Sequence, residues 1–159
     1  MARSPARLTA QRGVDCRRPE DGYRALATEA RGCGHWGPVI GQDGTIYAAS
    51  NGGVLHALDP ATGTDRWTYD SGHPGEGDLS ISPLVLPDRT VLWPTPGADL
   101  VALSPTGSPL WSQPLPGQPT SPASADGHRV YVGDTSGAVS ALDVLSAGGH
   151  RLVWTVDVG

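Results

Sequence analysis

Three tryptophans spaced on one period constrain this chain more than any other feature. Trp67, Trp111 and Trp154 lie 44 and 43 residues apart. Each closes a stretch that begins at a proline: Pro38 to Trp67 reads PVIGQDGTIYAASNGGVLHALDPATGTDRW, Pro83 to Trp111 reads PLVLPDRTVLWPTPGADLVALSPTGSPLW, and Pro122 to Trp154 reads PASADGHRVYVGDTSGAVSALDVLSAGGHRLVW. An Ala-Leu-Asp/Ser triplet begins at Ala57, Ala102 and Ala141, spaced 45 and 39 residues. Self-similarity at such a period means that one supersecondary unit recurs, and that neighbouring units bury one another's apolar faces.

Within a unit the pattern alternates by two and breaks at turn residues, which favours strands over any helical period. In the first unit, Pro38–Ile40 reads as the inner strand and Gln42-Asp43-Gly44 as a hairpin turn. Thr45–Ala49 follows, with Tyr47 and Ala49 on one face. Asn51-Gly52-Gly53 tolerates positive φ. In Val54–Leu58, Leu55 and Ala57 share a face, and Asp65–Tyr69 forms the outer strand after the turn Asp59–Gly63. Gly and Pro supply 22 and 15 of the 159 residues; because they recur at turns, they indicate an all-β chain and not disorder. The expected fold is a partial β-propeller of about three four-stranded antiparallel blades. These are residues 38–70, 83–114 and 122–157, behind a non-repeat, Arg-rich, poorly ordered head at 1–37. Propellers carry about 4–8 blades, so three units read as a fragment, a truncated product or one part of an assembled ring.

Residues 57–67 carry a resemblance. Ala57-Leu58-Asp59-Pro60-Ala61-Thr62-Gly63-Thr64-Asp65-Arg66-Trp67 resembles the tryptophan-docking motif A-x-D-x-x-T-G-x-x-x-W of the quinoprotein (PQQ-like) propeller repeat family, and matches it at Ala57, Asp59, Thr62, Gly63 and Trp67. The second copy keeps Ala102, Gly107 and Trp111, is one residue shorter and has Ser104 for the acid. The third keeps Ala141, Asp143 and Trp154, is longer and lacks the Thr-Gly pair. The resemblance covers 38–157 and implies blades locked by these residues. A Trp buries about 150–250 Å² and seeks an acceptor for its indole N–H, a role a backbone carbonyl fills. Trp93 reads as a strand residue at the position of Tyr47 and Tyr131.

Charge narrows the function. The head holds seven Arg against four acids, net +3, while 38–159 hold four Arg against twelve acids, net −8. A phosphate backbone needs clustered cations, so nucleic acid is set aside as a partner. The two cysteines, Cys16 and Cys33, lie in the head and form no zinc spacing or disulfide framework. No apolar run is long enough to span a membrane, and the head lacks the apolar stretch of a signal peptide. The family usually works outside the cytoplasm, so the compartment stays open: this protein is an exception, or its true N-terminus is missing.

Dehydrogenases of the family hold PQQ under adjacent cysteines, with a metal and a catalytic Asp. No Cys-Cys pair exists here, so the expected cofactor is none, no catalytic or metal residue is assigned, and PQQ is not expected to bind. His35, His56, His73, His128 and His150 are scattered without metal-ligand spacing. His73–Asp78 reads as a connecting loop, and no P-loop, G-x-S-x-G or H-E-x-x-H occurs. The expected function is a non-catalytic binding or scaffold module, its partners being a protein or further blades. The alternative is the remnant of a PQQ-dependent alcohol or sugar dehydrogenase; a third reading is a degenerate product with no function of its own.

Overall fold

The structure, a computed structural model, describes residues 37–50, 52–73, 81–120, 123–145 and 148–159. The readings made of residues 1–36, including both cysteines, and of the acids Glu76 and Asp78 fall outside these. Twelve strands form three four-stranded antiparallel sheets, each in sequence order. The first blade is β1 (Val39–Ile40), β2 (Ile46–Ala49), β3 (Val54–Leu58) and β4 (Asp65–Asp70). The second is β5 (Leu84–Val85), β6 (Val91–Pro94), β7 (Asp99–Leu103) and β8 (Pro109–Pro114). The third is β9 (Ser124–Asp126), β10 (Arg129–Gly133), β11 (Ala138–Val144) and β12 (His150–Asp157). The described residues are thus all-β and form three four-stranded propeller blades. Among the described residues no helix is long and apolar enough to cross a membrane.

The recurring Ala-Leu and Trp have a backbone cause. Every outer hairpin breaks register at the same place, between Ala57 and Leu58, Ala102 and Leu103, and Ala141 and Leu142. Each Trp pairs with the Ala, and the residue just before the Trp (Arg66, Leu110 or Val153) is the unpaired extra one. Such a bulge bends the strand and re-aims the side chain that follows it. All three alanines are fully buried. A larger side chain at these positions would have to share that space with the indole paired to it.

Packing runs between blades. Tyr47, Leu55 and Ala57 of the first blade meet Val91, Trp93, Val101 and Leu103 of the second. Leu92, Leu100 and Ala102 of the second meet Val130, Val132, Leu142 and Val144 of the third. Alternation along β6 therefore serves two interfaces: Val91 and Trp93 point backward, Leu92 forward, and all are buried. Fully burying one such side chain contributes about 1.5–3 kcal/mol, so the middle blade is stabilised from both sides.

One placement differs from the sequence reading. Tyr47 pairs with Ala57 and Tyr131 with Ala141, but the partner of Ala102 is Leu92. Trp93 lies one residue further along, and in a strand a one-residue offset turns the side chain to the other face. It packs back against the first blade, edge-on to Tyr69 at 6.3 Å, and donates its indole N–H to the Ile81 carbonyl at 3.0 Å.

Candidate functional site at the blade junctions

At the first junction the turn Asp59–Gly63 is held by one carboxylate. Asp59 Oδ1 accepts from the N–H groups of Ala61 (2.9 Å) and Thr62 (3.2 Å) and from the Thr62 hydroxyl (3.3 Å). Its Oδ2 accepts from Arg66 at 2.9 and 3.3 Å, and Arg66 also donates to Thr45 Oγ1 at 2.7 Å. The Arg66 guanidinium first, then the Ala61 N–H, hold this carboxyl below the ordinary Asp value. Gly63 closes the turn at φ 71°.

Trp67, projecting from β4, crosses to the second blade. Its indole N–H donates to the Pro105 carbonyl at 3.0 Å. Its ring lies on Gly107: a Cβ there would stand 2.6 Å from Trp67 Cδ2, and the residue has φ 83°. Both facts call for glycine. Tyr47 leans on the same indole, centroids 5.8 Å apart at 52°.

The second junction is built differently. Ser104, where the motif has its acid, accepts from the N–H groups of Thr106 (3.3 Å) and Ser108 (3.1 Å). Among the described residues Trp111 meets no glycine turn. It stacks on His150 of the third blade at 4.2 Å and 25°, while His150 Nε2 lies 3.2 Å from Gln113 Oε1. The Trp111 indole N–H is buried with no acceptor among the described residues, a group that costs about 1–3 kcal/mol when left unpaired.

The third copy keeps an acid in a longer turn. Asp143 accepts from Arg129 at 2.7 and 3.2 Å and from Arg151 at 2.8 Å. These two guanidiniums, Arg129 before Arg151, pull its carboxyl down to about 2. Trp154 leans on Tyr131 at 6.0 Å and 44°, nearly the Tyr47–Trp67 arrangement, yet it is 40% exposed.

The structure thus brings Trp67 and Gly107 together, places Trp111 against His150, and leaves Ala141, Asp143 and Trp154 on a face without a following blade among the described residues. Sequence reasoning missed a second recurring set. Ser50, Thr95 and Asp134 are buried where β2, β6 and β10 end, and their side-chain oxygens accept from Val54, Asp99 and Ala138 across the turn at 3.3–3.4 Å. Their signal was a small oxygen-bearing side chain three residues before each positive-φ position. Also unforeseen is a cleft of about 430 Å³ lined by Leu86, Pro87, Asp88, Gly127, His128 and Leu145. No group of three His, Cys, Asp or Glu suited to a metal occurs among the described residues.

Known proteins repeat this architecture. Residues 24–148 match the sequence model of the family described as outer membrane protein assembly factor BamB. The assembly factor BamB of Nitrosomonas eutropha is 28% identical over 115 residues, which span 71% of this chain and 26% of that protein. Of solved structures, BamB from Moraxella catarrhalis superposes with a TM-score of 0.58 at 22% identity, over 74% of this chain and 38% of its own. Quinohemoprotein alcohol dehydrogenase from Comamonas testosteroni gives 0.61 at 23% identity, over 75% and 20%. At that identity the two structures speak for the fold alone, and the chain spans about a quarter of the length of the curated relative.

Proposed function

Since this chain belongs to the family of the outer membrane protein assembly factor BamB, we propose that it works as a non-catalytic scaffold that binds another protein. The observation that carries the reading is the use made of its best-held polar side chains. Asp59, Arg66, Arg129, Asp143 and Asp134 are each engaged in closing a turn or clasping a hairpin. In this reading Ala57, Asp59, Thr62, Gly63 and Trp67, with Ala102, Gly107 and Trp111 and with Ala141, Asp143 and Trp154, are blade-docking residues. Their product is a rigid surface, and assembly-factor work of the kind named for the relatives needs such a surface for a protein partner.

The residues present do not suit a quinone cofactor. Trp93 offers no open ring face for stacking: it is fully buried, set against Tyr69, and its N–H is taken by the Ile81 carbonyl. No Cys lies beyond position 33 to cover a quinone. The purified chain is therefore expected to show no saturable change in tryptophan emission with PQQ and calcium, and no dye reduction with alcohols or sugars. In parallel, site-specific photo-crosslinking in the source cells is expected to trap one recurrent protein partner. Low-micromolar PQQ binding with turnover would overturn the scaffold reading in favour of a dehydrogenase remnant.

A further inference from the structure

The outer hairpins of the second and third blades do not reach equally far. In the second blade the turn bonds, Ser104 N–H to Ser108 O at 2.8 Å and Gly107 N–H to Ser104 O at 3.0 Å, begin two residues after Ala102. In the third the same pair of bonds, Leu145 N–H to Gly149 O at 2.9 Å and Gly148 N–H to Leu145 O at 3.0 Å, begins four residues after Ala141. The inner pairing lengthens with it. β6 and β7 stop at Val91 and Leu103, whereas β10 and β11 continue past Val130 and Leu142 to Arg129 and Asp143. Val144 then donates its N–H to the His128 carbonyl at 2.8 Å. The third hairpin therefore projects about 6–7 Å further, at the usual rise per strand residue. Arg129 and Arg151 clasp it through Asp143, so the projection is braced.

Between this projection and the β5–β6 turn of the second blade lies the cleft of about 430 Å³. That volume falls within the range of about 300–1,000 Å³ common to ligand sites. Leu86 and Pro87 line it from the second blade, and Gly127, His128, Val144 and Leu145 from the third. Leu86 and Val144 are buried, Pro87 is exposed and Leu145 is 47% exposed. A Cβ on Gly127 would meet no atom within 4 Å, so the space beside it is open. Asp88 is the acid of the lining. Its Oδ1 accepts from the Thr90 N–H at 2.9 Å, and its Oδ2 has no partner among the described residues. Arg89, next in sequence, does not line the cleft; its charge reaches Tyr47 of the first junction. The walls come from two consecutive blades and need nothing from beyond them.

Resting on the reading that the chain binds another protein, we infer that this cleft takes an extended segment of that partner. One bulky apolar side chain of the segment enters between Leu86 and Leu145, and a Lys or Arg beside it faces Asp88. A desolvated apolar anchor supplies most of the energy of such a contact, and a carboxylate on the rim selects the charge of its neighbour. Residues 38–159 carry a net charge of −8, which draws a basic segment and repels an acidic one. The exposed Pro87 and Leu145 extend the apolar surface onto the rim. A chain passing over the cleft covers that rim, whereas a small molecule enclosed within it does not.

A phage library of random peptides, panned on the immobilised full chain at low salt, tests it. Selected sequences are expected to share an aliphatic or aromatic residue next to Lys or Arg. The best of them, made as a labelled synthetic peptide, is expected to bind with a Kd of micromolar order. Leu145→Ala should weaken it about tenfold through lost apolar contact. Pro87→Gln, which matches Gln42 at the same turn position of the first blade, should weaken it as well and serves if Leu145→Ala misfolds. Asp88→Asn keeps an oxygen for the Thr90 N–H and removes the charge. It should weaken binding about two- to fivefold at low salt, a difference that high salt erases. The same peptide with Glu for its basic residue should not bind. No enrichment, selection of acidic sequences, or a peptide that neither Leu145→Ala nor Pro87→Gln weakens overturns the inference. So does equal binding by Asp88→Asn at low salt, which leaves the charge no role. These outcomes leave the scaffold reading standing where crosslinking still traps a partner; turnover with PQQ is what removes that reading.

Discussion

At the scale of single residues, the second blade carries strain that its neighbours avoid. Arg89 and Ala98 have φ of 69° and 63°, the two positive-φ non-glycine positions among the described residues. The turn bonds show their counterparts: Arg89 donates to Leu86 as Gly44 does to Gly41, and Ala98 to Thr95 as Gly53 does to Ser50. A left-handed conformation costs an L-residue about 1–2 kcal/mol. Glycine costs back about 0.5–1 kcal/mol through the freedom it loses on folding. Ala98→Gly and Arg89→Gly are therefore each expected to stabilise the fold by about 0.5–1 kcal/mol, read as a raised denaturant midpoint. Ala102→Gly, in a strand beneath Trp111, is expected to lower it. An unchanged or lowered midpoint for Ala98→Gly would mean that its methyl group makes a contact worth more than the strain.

At the scale of elements, the three outer hairpins solve one problem in three ways. The first uses Asp59 with Arg66 and a Thr-Gly turn. The second uses Ser104, whose hydroxyl holds the turn without a charge. The third, lacking Thr-Gly, clamps Asp143 between Arg129 and Arg151. The last arrangement has a pH signature. Its carboxyl sits at about 2 in the folded chain against an ordinary 3.8. A lowered folded value means that the clasp contributes fully above about pH 4 and is lost as pH falls through about 2. Between those limits the amide signals of β11 and β12 are expected to shift together as the hairpin loosens. Asp143→Asn should abolish that step while leaving the first hairpin unchanged; an identical acid step in the variant would trace it to another group.

The same hairpins show what was legible in the sequence. The blades, their order and their strands followed from period-2 alternation and turn residues, because each blade is a local unit of about 40 residues. Partners across a junction did not, because they depend on geometry between units. The motif marks Trp67, which reaches out, but nothing marks Gly107, 40 residues on, as the surface it rests on. Trp93 was misplaced by one residue for a related reason. Only the pairing of Leu92 with Ala102 shows which side chain faces forward, and two adjacent apolar residues in a doubly buried strand look alike in sequence.

At the scale of the whole molecule, stability in a stack of repeats is the sum of each unit and its contacts with neighbours. Among the described residues the middle blade has two such contacts and the first and third blades one each. The two junctions are also unequal. The first has a satisfied indole, a glycine floor and the Tyr47 and Tyr69 contacts. The second has a buried indole N–H with no acceptor among the described residues and a stack on a half-buried His150. The β12 edge adds Leu152, Trp154 and Val156 at 43%, 40% and 48% exposure. Amides open locally with free energies that follow such contacts, from near zero at frayed edges to the global value in the core. Hydrogen exchange at low micromolar concentration or below is therefore expected to be slowest in β6 and β7, intermediate in β2 and β3, and fastest in β12. Trp111→Phe, which removes an N–H without an acceptor among the described residues and keeps a ring against His150, should leave that order intact with little change in the third blade. Trp67→Phe, which breaks the bond to Pro105, should speed exchange in the first blade. Equal protection of all three blades would refute the nearest-neighbour account and require that the first and third blades be covered as fully as the middle one.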